Sequence, residues 1–483
     1  MNAIVFVLQG CPLAAIGAYG NEWVVTPNLD QLAAEGIVLD QLISVYPYPI
    51  QARNSWRSGQ FPWARPQSPE ASSHENHSQD LLSLLKAAGV RTILLNHCRP
   101  SHPLPTDFLR GWDEIHSVPP IAGDESPADS LISALPTILA SLPTSSPWLL
   151  WIESDRLLPP WHIPQAVFEL YIENLLEEDK ESPHSASSEV DSSEELGEEP
   201  RSDELADDEH AAATHVEDRH EAENSFEVQN SFDEEDGNQI DNTRNEASCS
   251  DRIEPWTDPP AGWFDTEDFA SWELLHRSFD SAITSWDADF GRVVQLLKEA
   301  GLDQSAHWLL TSDYGFPLGE HGIIGRFRPW LHEERVHLPC IIRLAGAAEA
   351  GRRVPSLTQP VDLMPTLATW LGRSVASGDG NGIDLTPLLL GQVPAIRTEA
   401  ISMLAEETGE EWSIRTSDWA YLSPRSQNPD DEEEPRPPQL YAKPADRWEQ
   451  NNQCLRESSR ADAFAERLQA VIGPGSSATN QSP

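Results

Sequence analysis

The residue types able to do chemistry in this 483-residue chain are spread out, and their spacing excludes several kinds of site. Five cysteines (Cys11, Cys98, Cys249, Cys340 and Cys454) show no paired or C-x-x-C spacing, so neither a disulfide framework nor a zinc site is indicated. Free, mostly buried thiols are expected, with Cys249 the exception because it falls in an acidic stretch. Three ionisable groups stand close together in "SDYGFPLGEHG": Asp313, Glu320 and His321. Asp313 ends an apolar run. A lone carboxylate there reads as a hydrogen-bonded structural acid, since calcium takes about six to eight oxygens with several carboxylates among them. His321 reads as structural. His162, near Trp161 and Pro164, reads as packed and hydrogen-bonded rather than catalytic.

Charge narrows the partners. The net charge of −47 excludes non-specific nucleic-acid binding, which needs a Lys/Arg surface to displace phosphate counterions. Residues 177–254 hold 28 Asp/Glu against 5 Lys/Arg, about half of that net charge. This segment has few aromatics and no apolar period, so it cannot bury enough surface to offset its ordering entropy and reads as a disordered surface insertion. A solvated tether and a tract that binds a protein partner are both open readings. A second acidic stretch, "NPDDEEEPRPP" from Asn428, reads as a loop between strands of a C-terminal domain.

The remaining chain supplies elements to position a site. Residues 3–8 form a six-residue apolar run, right for a buried parallel strand and too short to span a bilayer. Residues 28–35 carry a helical stripe at Leu29, Leu32 and Ala33. "QDLLSLLKAAGVRTILLNH" reads as a helix, a stop at Gly89 and a strand over 92–95. "PWLLWIES" from Pro147 is a further strand. Residues 272–300 form a long amphipathic helix closed by Gly301, the strand "HWLLTSD" ends at Asp313, and "LPCIIRLAG" adds another. Such alternation predicts a doubly wound, mostly parallel α/β sheet with ligands at the carboxyl ends of its strands. The start runs straight into the first strand with no basic region or cleavage site, so a cytoplasmic location without membrane contact is expected.

Several strings resemble the sulfatase branch of the alkaline phosphatase superfamily. "TPNLDQLAAEG" from Thr26 is similar to T-P-N-L-D-x-L-A, and "YPYPIQARNSWRSGQFP" from Tyr46 is similar to the stretch around C-x-P-S-R-x-x-L-x-T-G-x-x-P. "GVRTILLNHCR", "GWDEI", "SDYGFPLGEHGIIGR", "EERVHLPCIIRLAG", "VDLMPTLATWLG", "GIDLTPLLLG", "SIRTSDWAYL" and "QLYAKPADRWEQNN" resemble further family strings in the family's order. The resemblance implies an alkaline-phosphatase-like sheet over residues 1–395, interrupted at 177–254. It also implies a smaller C-terminal α+β domain over 396–472 and a disordered tail over 473–483.

It further implies where the chemistry stood. Family members use a calcium ion, a formylglycine nucleophile made from Cys, and Lys and His side chains around the sulfate. Registering Arg53, Gly59 and Pro62 on the pattern puts Pro49, which has no nucleophilic atom, at the Cys. Gln9 and Gly10 stand where two Asp ligands are usual, and Tyr314 stands at a third ligand, leaving Asp313 as the residual family ligand. His97 and Arg99 replace the family's Lys and His, so no catalytic set is intact. Ser44, Tyr46, Tyr48 and Ser55 lie nearby, but nothing would lower a Tyr pKa from about 10 without the metal, and packing is their expected role.

Arg53, His97, Arg99 and Arg326 are cations that can form an anion pocket, or the arginines can pair with acids such as Asp313 and Glu320. The leading expectation is a sulfatase-family protein that has lost ester hydrolysis and acts as a binding or regulatory protein. Its partner would be a sulfated or phosphorylated small molecule, with no cofactor. An active hydrolase with a rearranged site, which would need calcium or another divalent metal, and a scaffold with an empty cleft are the alternatives.

Overall fold

The computed structural model describes residues 1–64, 80–120, 126–181, 253–375, 382–406, 409–425 and 436–472, the side chains of 174–181 apart. Nearly all of the acidic insertion, the tail over 473–483 and most of the loop from Asn428 lie outside the described residues.

A nine-stranded sheet organises the main body. Its central strand, Asn2–Leu8, pairs in parallel with Trp148–Ser154 on one side and Ala306–Thr311 on the other. Beyond Trp148–Ser154 come Arg91–His97 and Glu114–Ser117, also parallel. Beyond Ala306–Thr311 the sheet becomes mixed. Cys340–Arg343 runs antiparallel to both its neighbours, and Ile37–Ile43 and Arg352–Thr358 complete that edge as a parallel pair. The central strands are apolar over most positions because both faces are covered by helices, with polar residues such as Glu153, Ser154 and Thr311 at their carboxyl ends. Strand Ile37–Ile43, which the sequence reading passed over, breaks its apolar run with Asp40 and Gln41 near the sheet edge.

Side-chain alternation divides the core into two layers. Ile4, Phe6, Leu95, Leu150 and Ile152 face the long helix Phe269–Glu299, capped where Asp268 accepts from the Ser271 N–H at 3.1 Å. Val5, Val7, Leu94, Leu149 and Trp151 face the opposite layer, which includes Pro49–Ser58, Leu81–Ala87 and Leu363–Trp370. The C-terminal part is a four-stranded antiparallel sheet, Ala400–Glu406, Gly409–Arg415, Trp419–Arg425 and Gln439–Ala442, covered by helix Ser458–Ile472. The expected α/β class with a small C-terminal α+β part is what the chain adopts.

Buried ion pairs tie the two parts together. Arg335 meets Glu406 at 3.1 Å, Lys443 meets Glu333 at 3.0 Å, and His321 contacts the Glu334 carboxylate at 2.9 Å and the Glu449 carbonyl at 3.2 Å. Burial alone would lower the His321 pKa, but Glu334 and Glu449 outweigh it and raise it to about 9. Among the described residues no helix is long and apolar enough to cross a membrane.

Candidate functional site

Parallel register brings four strand ends side by side. Leu8 lies opposite Ser154, Ser154 opposite His97, and Val7 opposite Thr311, so the residues that follow them meet along one carboxyl edge. Gln9, Gly10, Cys98, Arg99, Asp155 and Asp313 all stand there. Pro49 opens the helix Pro49–Ser58 from extended Tyr48, a position where its missing N–H costs no helical hydrogen bond and its fixed φ suits the first turn.

One turn further along that helix, Arg53 enters the edge and is 1% exposed. Its Nε and one terminal nitrogen grip Glu153 at 3.2 and 2.7 Å, and the other terminal nitrogen donates to Asp313 at 3.0 Å and to the Pro49 carbonyl at 2.9 Å. Glu153 and Asp313 are both fully buried. Glu153 also accepts from the Trp151 indole at 3.0 Å and the Gln9 amide at 3.3 Å. The guanidinium carbon lies 5.6 Å from the Trp56 ring centroid and 5.8 Å from that of Phe108, closing the cluster with aromatic faces. Burial opposes the Arg53 charge, but Glu153 and Asp313 hold its pKa above the ordinary value. Burial raises the Glu153 pKa, with Arg53 pulling against it.

The calcium that the resemblance implies does not fit these residues. Asp313 accepts from the Gly10 and Tyr314 amides at 3.1 Å each with one oxygen and faces Arg53 with the other. Gly10 has φ 72°, where a side chain is strained, and a Cβ there would lie 2.3 Å from Leu158 Cδ2, so a side-chain ligand would need Leu158 to move. Gln9 directs its amide N–H groups to Glu153 and Cys98. Among the described residues no group of three or more His, Cys, Asp or Glu is arranged to hold a metal ion. Gly315 marks a second close approach: a Cβ would lie 1.9 Å from the Glu334 carbonyl oxygen.

The other cationic positions diverge. Arg99 is a staple, bonded to Asp155 at 2.8 Å and to the Leu158 and Pro160 carbonyls at 2.7 Å each. Burial opposes the Asp155 charge, but bonds from His102 and Arg99 hold its pKa below the ordinary value. His97 faces the opposite layer, with Nδ1 2.7 Å from the Val118 carbonyl. Arg326 is exposed, 5.0 Å from the Tyr48 ring and 5.4 Å from the Tyr314 ring, with no carboxylate paired to it among the described residues. Tyr314 is buried, which pushes its pKa up to about 12. His162 is half-buried in the loop beyond Asp155, and burial lowers its pKa. Glu320 accepts from the Leu318 N–H at 2.7 Å, and Arg53 pairs with Glu153 instead. Glu153 was not singled out from sequence, although a Glu closing the apolar run "WLLWIES" signals a buried charge in need of a partner.

Known proteins share this architecture. The sulfatase family model matches residues 204–373, which include Asp313 and Arg326. N-acetylglucosamine-6-O-sulfatase of Bacteroides thetaiotaomicron is 33% identical over 129 residues, covering 26% of this chain and 23% of that protein. The steryl-sulfatase of Mus musculus is 34% identical over 132 residues, covering 24% and 21%. The matched segment thus spans about a quarter or less of these relatives' length. In three dimensions the likeness runs through nearly the whole chain. The phosphonate monoester hydrolase of Agrobacterium radiobacter superposes with a TM-score of 0.64 at 17% identity, covering 97% of this chain and 95% of that one. A structure of a protein with its substrate D-glucosamine-2-N,6-O-disulfate gives 0.63 at 16% identity, covering 98% of each chain. Residues 204–373 thus match the sulfatase family model, and nearly the whole chain has the fold of these solved structures.

Proposed function

We propose that this chain is a sulfatase-family protein that has lost ester hydrolysis and acts by binding. The observation that carries the reading is the sealed cluster in which Arg53 pairs with both Glu153 and Asp313. A hydrolase of this family needs a metal to polarise the ester oxygens and a nucleophile beside it. Here the residual carboxylate faces a guanidinium, and the position before the helix turn is Pro49. The ligand proposed is a sulfated or phosphorylated small molecule, with Arg326 offering an exposed planar fork at the mouth above Tyr48 and Tyr314. Sulfated sugar as the substrate of a structural relative supports that class.

The test is turnover of 4-nitrophenyl sulfate and 4-nitrophenyl phosphate by the purified chain, with calcium, magnesium or manganese added. No turnover is expected. Hydrolysis abolished by Arg53→Ala or Asp313→Ala overturns the proposal. Thermal stabilisation by sulfated and phosphorylated sugars, lost in Arg326→Ala, supports the binding role, and no stabilisation by any of them leaves a scaffold.

A further inference from the structure

The layer opposite Arg53 holds a second polar group that the proposed function does not use. A cavity of about 30 Å³ lies against the same strand ends, walled by Phe6, Ile152 and Phe290 and edged by His97, Ser154 and Arg156. Two polar atoms of this lining have no hydrogen-bond partner among the described residues: His97 Nε2 and Ser154 Oγ. His97 is 1% exposed and Ser154 is 7% exposed, so neither is satisfied by bulk water. The Val118 carbonyl can only accept, so the His97 proton is assigned to Nδ1, and Nε2 of the neutral ring is left bare.

Arg156 has no hydrogen bond or ion pair with any described residue. Burial, and then the neighbouring Arg99, lower its pKa to about 10. Two acids lie nearby: Asp155 meets Arg99 and His102 through Oδ2 alone, its buried Oδ1 having no partner among the described residues, and Asp289, which lines the cavity, takes the Ser126 hydroxyl at 2.5 Å and Arg292 at 3.2 Å. Arg156 is half-buried, with Asp155 and Asp289 near it but bonded to neither, so its guanidinium edges the mostly apolar cavity free to pair with a mobile counter-ion.

We infer that this cavity binds a single halide-sized anion, paired with the Arg156 guanidinium and accepting from the Ser154 hydroxyl, with His97 as a third donor when protonated at Nε2. A cavity needs about 10–15 Å³ of such volume for one water, so this one admits a halide and is too small for a tetrahedral oxyanion. The groups that bear on His97 are Arg156 and Asp155 from the strand ends and Asp289 from the long helix, and His162 joins the same field from the following loop. Asp289 and Asp155 oppose an anion, while Arg156 favours it. An anion draws a proton onto His97, so halide binding tightens as pH falls. The inference stands whether or not hydrolysis has been lost.

The test uses the full chain at constant ionic strength, with potassium gluconate replaced stepwise by bromide, chloride or sulfate. Bromide and chloride are expected to raise Tm saturably, by about 2 °C, with sulfate giving no such rise. Burial lowers the His97 pKa from its ordinary 6.5, so the rise grows toward the acid end and is larger near about pH 5 than near about pH 8. It is absent in Arg156→Met. Crystals of the unaltered protein soaked in bromide show an anomalous peak beside Arg156, which decides the matter if the variant fails to fold. A cavity containing water alone, an equal response to all three salts, or a full halide response in Arg156→Met overturns the inference. A response equal at both pH values overturns the part given to His97.

Discussion

Arg53 and Arg156 stand at the carboxyl edge of the same sheet, on opposite layers, and the protein treats their charges in opposite ways. Arg53 is fully buried and meets two carboxylates, a carbonyl and two aromatic faces. Arg156 is half-buried and meets none of these among the described residues. The difference follows from strand parity. Glu153 and Ser154 are consecutive, so the acid points to the Arg53 layer and the hydroxyl to the Arg156 layer. The lesson is that burial alone does not make a charge structural; an acceptor on the same face does.

The largest expected effect comes from removing the satisfied cation. Arg53→Met leaves Glu153 and Asp313 buried without their partner and should destabilise the fold by about 3–5 kcal/mol, read from urea denaturation. A loss under about 1 kcal/mol would break the comparison. Adding Asp313→Asn and Glu153→Gln to that variant should recover part of the loss, because the three residues form one network.

Next comes pH. The Glu153 pKa is raised above its ordinary value of 4.5 by burial, against the pull of Arg53. The folded chain therefore holds this proton more tightly than the unfolded chain. The associated stability is complete below pH 4.5 and is lost as pH rises through the raised value. Glu153→Gln removes that slope, so wild-type stability relative to the variant should fall on going up from pH 4.5. A difference that stays constant across that range, in denaturant melts at each pH, would show that Arg53 already cancels the effect of burial.

Arg156→Met should be neutral or stabilising by up to about 1 kcal/mol in halide-free buffer, the reverse of the same substitution at Arg53. A destabilisation of about 3 kcal/mol would mean that Arg156 has a structural partner and would erase the contrast. The smallest effect is at Arg326. It is exposed over two tyrosine rings, and Arg326→Ala should cost about 0.5–1 kcal/mol by thermal melts.

Much of this was legible before the fold was known. Apolar runs at strand length and the 3.6-residue stripe placed most central elements to within a few residues, because both patterns are local. The short strand Ile37–Ile43 was missed because Asp40 and Gln41 interrupt it near the sheet edge. At the site, the residue types at Gln9, Gly10, Pro49 and Tyr314 are what raise the proposal that hydrolysis is lost. Arg53 was read either as a candidate for an outside anion or as a partner of acids such as Asp313; it meets Asp313, and with it Glu153, which the sequence reading did not single out. His97 was grouped with Arg53 and Arg326, but its ring lies on the other layer beside Arg156.

By itself, then, the sequence determined the class of fold and the side-chain types available at the strand ends, since a residue without a donor or nucleophile cannot regain one by folding. Only the tertiary structure decided which charges are answered. Arg53 finds Glu153 100 positions away and Asp313 260 positions away, while Arg156, three residues beyond Glu153, finds neither. Pairing across such distances depends on strand register and on which face each side chain takes, and neither is encoded in local spacing.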